Sequence, residues 1–530
     1  MLILTNQEKI STIQMKLPLE IGVKINSDDP VVSFKEVMNG VNLKQFLVKS
    51  DKDSRGRDGY DPEVLLKIVL FAYMNNVRST RKIEALCRND IRFMYLSDEI
   101  TPSHMTIANF INQCLLENIE DIFNIVTGYI INKLDIDTSK VFIDRTKIEA
   151  LPNKYTWVWK KACITSRNRK FAYLKKYFNQ LNNQIIYCGQ PVFPVKEEYQ
   201  IEEMENIVNI LLKQMEHEGI KVVNGKGKRK TVLQRTYDNL KAITDKLREY
   251  AYKIDVCGEG RNSYSKTDSD ATFMRMKTDY MGNTALLPAY NWQVVTAGEI
   301  ILYGLTSQSA ADNTAFIPLM EKHNKIFGRY PEKAVADAGY GNLSTYDFCT
   351  RNGIEKYMKF PSWKRETHDT KFREDPFRSK NFRIDSDGNP VCPNNKKFIK
   401  LYDKPIKKNI DHRTEEVYVC ESCEGCPFKD RCFKAKNETA NRIININKTL
   451  TSYHQEVIEN LASEEGIQLR KIRSSMSEGT FGIIKQDYSF HRLTRISMKK
   501  VNLEFYLIML GFNLAKYHNV KSRVNHLKLN

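Results

Sequence analysis

Two sets of residues in this 530-residue chain have the types and spacing to do chemistry: three acids far apart in sequence, and a run of cysteines close together. Asp144 stands in KVFIDRTKI (140–148), which opens with β-branched and aromatic residues and reads as a strand. An unpaired carboxylate in such a setting is costly and usually has a purpose. Asp337 closes a short strand, 333–336, and is followed by Ala-Gly-Tyr-Gly341, whose glycines suggest a sharp backbone turn. Glu478 lies in Ser-Glu-Gly-Thr-Phe-Gly482, within a helical region that carries Lys485 two turns later. Hard oxygen ligands such as these hold divalent cations, and two such cations can activate a nucleophile and stabilise a leaving oxygen in phosphodiester chemistry. Each acid alone would serve equally well as a helix cap, an ion-pair partner or a turn former.

The chain has 11 cysteines, of which Cys87, Cys114, Cys163, Cys188, Cys257 and Cys349 are scattered. Cys420-x₂-Cys423-x₂-Cys426-Pro427, with Cys432 beyond and Cys392-Pro393 upstream, is ordered. Cys420, Cys423, Cys426 and Cys432 are candidate ligands for a structural Zn²⁺, with His412 as a substitute, and an iron–sulfur cluster is the competing reading. The surrounding basic segment, 361–450, looks too poor in apolar residues to build a core unaided, which is the situation a metal staple relieves.

The partners of such sites are suggested by charge. Lys and Arg total 82 against 64 Asp and Glu, a formal net charge of +18. A chain this basic tends to meet a polyanion, with counterion release from phosphates driving much of the binding. A hydrophobic content of 41% suffices for packed cores. The N-terminus lacks the apolar run of a signal peptide, and the most apolar late stretch, 506–515, is too short to span a bilayer. The expected compartment is the cytoplasm, with no membrane partner.

The elements that must position these residues follow from periodicity. Asp61-Pro62-Glu63 opens a helix with apolar Val64, Leu65, Ile68, Val69 and Ala72, while Ser79 and Ser103 are candidate caps of two more. Arg81 and Lys82 lie in the middle of this front end, which is compatible with a helix-turn-helix reader of double-stranded DNA or with a plain helical bundle. Met204, Ile207, Val208, Leu211 and Met215, then Tyr237, Leu240, Leu247 and Ile254, repeat at helical spacing on either side of the basic tip 224–230. YNWQVVTAG and EIILYGLTS read as an antiparallel pair turning near Gly298, followed by a helix over 312–325 and a strand at 354–360. The expected organisation is an N-terminal helical, DNA-binding domain (1–125), core segments at 136–162, 257–360 and 451–520, a helical-hairpin insertion (163–256), a Cys-rich basic insertion (361–450) and a basic tail (521–530).

FIDRTKIEA, VADAGYGN and EGTFGIIKQD resemble the catalytic segments of bacterial insertion-sequence transposases of the DDE class. The likeness extends to KYTWVWKK (154–161), RNSYSKTDSDATFMRMK (261–277), the helical front end and the cysteine series, in the order that family shows. The resemblance implies an α/β fold with a ribonuclease-H-like mixed sheet core, in which Asp144, Asp337 and Glu478 are catalytic and bind Mg²⁺ or Mn²⁺. It also implies recognition of terminal inverted repeats, strand cleavage and strand transfer to target DNA, by a homodimer in the working complex. Lys485 matches a family lysine that contacts the transposon end, and Arg473 or Lys471 is the nearest basic candidate for a phosphate contact. Arg145 departs from the small residue that many relatives carry after the first acid, although strand alternation would turn it to the other face. Asp268 and Asp270 are read as a hydrogen-bonded loop, with assistance to the metal site as the alternative. Two rival functions are a metal-dependent DNA nuclease that does not join strands, and a DNA-binding protein that retains the fold without the chemistry.

Overall fold

The structure is a computed structural model that describes residues 25–47, 59–185, 193–223, 225, 229–276, 285–406, 414–433 and 440–529. The front end is helical: α1 (Pro30–Asn39), α2 (Pro62–Met74), α3 (Thr80–Asn89), α4 (Ile91–Ser97) and α5 (His104–Asn109), which continues through a π-turn into α6 (Leu115–Leu134). Asp61 caps α2 by accepting the Glu63 N–H at 2.8 Å, and Ser103 caps α5 through the Thr106 N–H at 3.2 Å. Ser79 precedes α3 but makes no capping hydrogen bond. Instead Glu84 of α3 accepts the backbone N–H of His104 at 2.9 Å, tying α3 to the start of α5. In place of a single apolar face, α2 buries every residue from Val64 to Met74 except Lys67.

The central sheet has six strands: β1 (Lys140–Glu149), β4 (Thr272–Arg275), β5 (Leu286–Ala297), β6 (Ile300–Ser307), β7 (Lys333–Ala336) and β8 (Glu355–Met358), while β2 (Trp157–Trp159) and β3 (Ser263–Ser265) form a separate two-stranded ladder. The strand order is β4-β5-β1-β7-β8, with β6 also paired to β5. β6, β5 and β1 are antiparallel neighbours and β1, β7 and β8 are parallel, so the sheet is mixed. Gly298, at φ +55°, turns β5 into β6 as the sequence suggests.

Between β2 and β3 the chain runs through three helices, α7 (Lys160–Ile185), α8 (Ile201–His217) and α9 (Val232–Cys257), where two were expected. Phe171, Leu174 and Phe178 of α7 pack with Met204 and Leu211 of α8 and with Leu240 and Leu247 of α9 in a core of their own. The basic tip 224–230 lies largely outside the described residues, as do Cys188 and His412. The β2–β3 ladder, with Trp157 opposite Ser265, joins this bundle to the sheet, so the two segments KYTWVWKK and RNSYSKTDSDATFMRMK meet as partners.

After β6, α10 (Phe316–Phe327) begins four residues later than expected because Asp312 is committed elsewhere, and α11 (Leu343–Arg351) separates β7 from β8. The basic segment follows, with α12 (Trp363–His368), α13 (Thr370–Arg373), the β9–β10 pair (Arg383–Ile384, Pro390–Val391), a three-stranded sheet of β11 (Phe398–Pro405), β12 (Thr414–Cys420) and β13 (Ile443–Ile446), and the short α14 (Lys429–Cys432). Here too the sequence expectation is corrected, because Phe382, Phe398, Tyr418, Cys420, Cys423 and Ile444 do form a small core. The chain then returns to the sheet as α15 (Lys448–Ala462), α16 (Glu464–Gly482) and α17 (Met498–Leu529). α16 packs across β1, β7 and β8, and α17 packs against α2, α6 and β6. The apolar stretch 506–515 is the buried centre of α17, and among the described residues no helix is long and apolar enough to cross a membrane.

Candidate active site

β1 and β7 pair in parallel from Lys140–Lys333 to Phe142–Val335, and continuing that register by two residues sets Asp144 opposite Asp337. Two carboxylates distant in sequence thus lie just past the paired stretch of adjacent strands, Asp144 in the middle of β1 and Asp337 one residue beyond β7. Asp337 is exposed, and its Oδ1 accepts the N–H of Ala338 at 2.8 Å. Glu478 lies on α16, the helix packed over these strands, with its side chain outside the described residues. Lys333 binds Glu465 at 2.6 Å and anchors the start of α16 to β7.

The glycines after Asp337 have a different role from the one expected. Neither Gly339 nor Gly341 takes a positive φ. They make room: a Cβ on Gly339 would lie 2.5 Å from Asp312 Oδ2, and one on Gly341 would lie 2.1 Å from the Lys359 carbonyl. The loop bearing Asp337 is thereby pressed between the Asp312 carboxylate and the end of β8.

Asp144 and Arg145 are consecutive on a strand and face opposite sides. Arg145 Nε binds Asp312 at 2.6 Å, and Asp312 also accepts Asn291 Nδ2 at 3.1 Å. Beside this pair Tyr340 donates its hydroxyl to Gln293, which stands opposite Arg145 in the β1–β5 ladder. Burial, with the Asp312 and Asp144 carboxylates adding to it, pushes the Tyr340 phenol well above its usual range, so it remains a donor. Arg145 is thus part of the scaffold beneath the acids. Its partner Asp312 could not be picked out from sequence, since nothing local links the two.

On the other face, Arg473 Nη2 of α16 lies 3.3 Å from Asp144 Oδ1. A groove beside it is lined by Asp337, Lys359, Arg470, Lys471, Arg473 and Ser474. Burial, together with the nearby Arg470, pulls the Lys359 ammonium below its usual range. Four cations gather around one exposed acid, an arrangement suited to an anionic ligand that also brings its own cation. Sequence reasoning reached Arg473 and Lys471 but missed Lys359 and Arg470. The helical spacing of Arg470 and Arg473 was the available signal for the latter.

Lys485 lies in a π-turn at the end of α16 and donates to the Lys147 carbonyl of β1 at 3.3 Å. Arg81 and Lys82 are exposed on α3, far along the chain from the acids. Asp268 and Asp270 hold the start of α17: the Ser497 N–H donates to Asp268 at 3.3 Å and the Met498 N–H to Asp270 at 2.8 Å. The buried Asp268 also accepts the Tyr290 hydroxyl at 2.9 Å, so this segment is a hydrogen-bonded loop.

The zinc expectation gains no support from the geometry of the described residues. Among the described residues no three His, Cys, Asp or Glu side chains converge closely enough to hold a metal ion. The thiols of Cys420, Cys423, Cys426 and Cys432 are engaged otherwise. Arg442 donates from Nη1 to Cys432 Sγ at 2.8 Å and from its backbone N–H to Cys423 Sγ at 3.3 Å, and Asn394 donates to Cys426 Sγ at 3.5 Å. Burial, reinforced by Cys423, pushes the Cys420 thiol up to about 12.

Family comparison finds two segments of the chain similar to transposase domains. Residues 391–518 match the family described as Transposase DDE domain, and residues 19–113 match the Transposase domain (DUF772). Both matches support an insertion-sequence transposase of the DDE class. No curated protein and no solved structure matches it. The DDE-domain match takes in α15, α16 and most of α17, hence Glu478 and Lys485, whereas Asp144 and Asp337 precede it.

Proposed function

We propose that the chain is an active cut-and-paste transposase with a ribonuclease-H-like core, in which Asp144, Asp337 and Glu478 form one metal-binding catalytic site. The observation that supports this reading is the β1–β7 register, whose continuation by two residues leads to Asp144 and Asp337, under the helix that bears Glu478. Two oxygen ligands side by side, one of them exposed, suit Mg²⁺ or Mn²⁺, which binds through one or two carboxylates and keeps part of its water shell. When bound, the metal supplies Lewis-acid stabilisation of the attacking and leaving oxygens. The chain's own residues bind and orient the DNA. Lys359, Arg470 and Lys471 draw the phosphate backbone into the groove beside Asp337, and Lys485 holds the transposon end alongside β1. Arg81 and Lys82 on α3 contact the terminal inverted repeat, and a homodimer pairs the two ends.

The test is strand transfer in vitro, with a labelled duplex carrying the element's terminal repeat, a target plasmid and Mg²⁺. The protein is expected to free a 3′-hydroxyl and join it to the plasmid. Glu478→Gln and Asp144→Asn are each expected to lower cleavage about 10³-fold, equivalent to about 4 kcal/mol of transition-state stabilisation, while still binding the duplex. Cleavage without joining would favour a nuclease. Full cleavage by Glu478→Gln would remove that residue from the site.

A further inference from the structure

We propose that Arg473 is an exchangeable counter-cation for Asp144: it occupies the carboxylate until a divalent cation displaces it, and the released guanidinium then binds a DNA phosphate in the adjoining groove. The proposal rests on the reading of Asp144 as a metal ligand.

The geometry around Arg473 is that of a side chain held loosely in a site it does not saturate. Its bond to Asp144 is 3.3 Å long, whereas charge-assisted N–H···O bonds commonly lie at about 2.7–2.9 Å. Its Nε is buried without a hydrogen-bond partner among the described residues. Arg145, one residue along β1, makes a contrasting bond of 2.6 Å to Asp312 in a network that also holds Asn291. Both members of the Arg473–Asp144 pair are about one-fifth exposed, at 20% and 22%, so the carboxylate can be reached from solvent. Arg473 already lines the groove with Lys359, Arg470 and Lys471. Once a dication neutralises Asp144, those like charges would favour turning the guanidinium towards an anion. Metal and DNA binding would then be positively coupled through one side chain, and by linkage each would strengthen the other by the same factor.

The test measures binding, independently of turnover. Free Mn²⁺ is followed by electron paramagnetic resonance as the full-length protein is titrated without DNA, and affinity for a terminal-repeat duplex is read by fluorescence anisotropy with and without Mn²⁺. Arg473→Gln is expected to bind Mn²⁺ about 5–10-fold more tightly than the parent, because its competitor is gone, and to show about 5-fold less strengthening of DNA binding by Mn²⁺. Arg473→Lys keeps the charge and is expected to bind Mn²⁺ like the parent. Equal or weaker Mn²⁺ binding by Arg473→Gln, or the same tightening in Arg473→Lys, would overturn the exchange. Asp144→Asn is expected to lose the Mn²⁺ site. If it binds Mn²⁺ as the parent does, the metal-ligand reading fails first, whatever Arg473 does.

Discussion

Arg145 Nε lies 2.6 Å from Asp312 Oδ2, joining the residue after the first acid to a loop 167 positions further along the chain. The Asp312 side chain is almost fully buried, and Gly339, two residues after Asp337, leaves just enough room for it. Removing the cation would leave a buried carboxylate supported, among the described residues, by Asn291 and the more distant Gln293. Arg145→Ala is therefore expected to lower the stability of the chain by about 2 kcal/mol, discounting the buried-pair figure because Arg145 is partly exposed. Arg145→Ala/Asp312→Asn should recover part of the loss. Urea unfolding of the three proteins tests this, and an Arg145→Ala midpoint equal to the parent's would sink the structural role.

The site was legible where chemistry coincides with local pattern, and illegible where it depends on distant contacts. Asp144 stands out because β-branched residues mark its strand, Asp337 because a short strand ends beside it, and the β5–β6 hairpin is marked by Gly298. The strand register that brings the two acids together is non-local, as is the Arg145–Asp312 bond. α7 escaped because its 26 residues are mostly polar and present only a narrow apolar stripe, Phe171, Leu174, Phe178 and Leu181. The glycines after Asp337 were read as turn formers, whereas their need is for close approach, a property of what lies opposite. The cysteine spacing is regular, and in the fold Cys423 and Cys432 share the Arg442 side of a small packed core.

Gly341 gives a second test of that close approach. A Cβ there would meet the Lys359 carbonyl at 2.1 Å and the Tyr346 hydroxyl at 2.5 Å, and the first of these is backbone that cannot swing aside. Gly341→Ala is expected to cost about 1–3 kcal/mol through overpacking and to shift the Asp337 loop relative to β8. Thermal unfolding should show a lowered midpoint. An unchanged midpoint would mean that the loop has slack to spare.

Arg81 and Lys82 are exposed on α3, which Glu84 fastens to α5 through His104. If this helix meets DNA as proposed, each side chain neutralises a phosphate and releases a counterion. Arg81→Ala/Lys82→Ala is then expected to reduce the salt slope of duplex binding by about two, weakening binding at low salt with little effect on folding. Anisotropy titrations from 50 to 200 mM salt, roughly the range over which such slopes are read, measure it. A slope identical to the parent's would place the DNA-binding face elsewhere.

His323 of α10 offers a prediction in pH. Its ring is fully buried, Nδ1 lies 3.1 Å from the Tyr303 hydroxyl, and Nε2 has no partner among the described residues. Burial, with Arg329 adding to it, pushes the imidazole down to about 4. The unfolded chain therefore binds this proton more readily than the folded one. The folded state keeps the full benefit above the ordinary histidine range and loses it as pH falls through that range towards about 4, an order-of-magnitude cost of about 3 kcal/mol. His323→Phe removes the titrating group, and Phe suits the ring contacts with Tyr303 and Phe327. It should lower stability at neutral pH by loss of the Tyr303 hydrogen bond, yet lose less than the parent between pH about 6.5 and about 4. Urea midpoints of the two proteins across that window decide the matter, since other groups titrate equally in both. Parallel curves would show that His323 is protonated as easily in the fold as outside it.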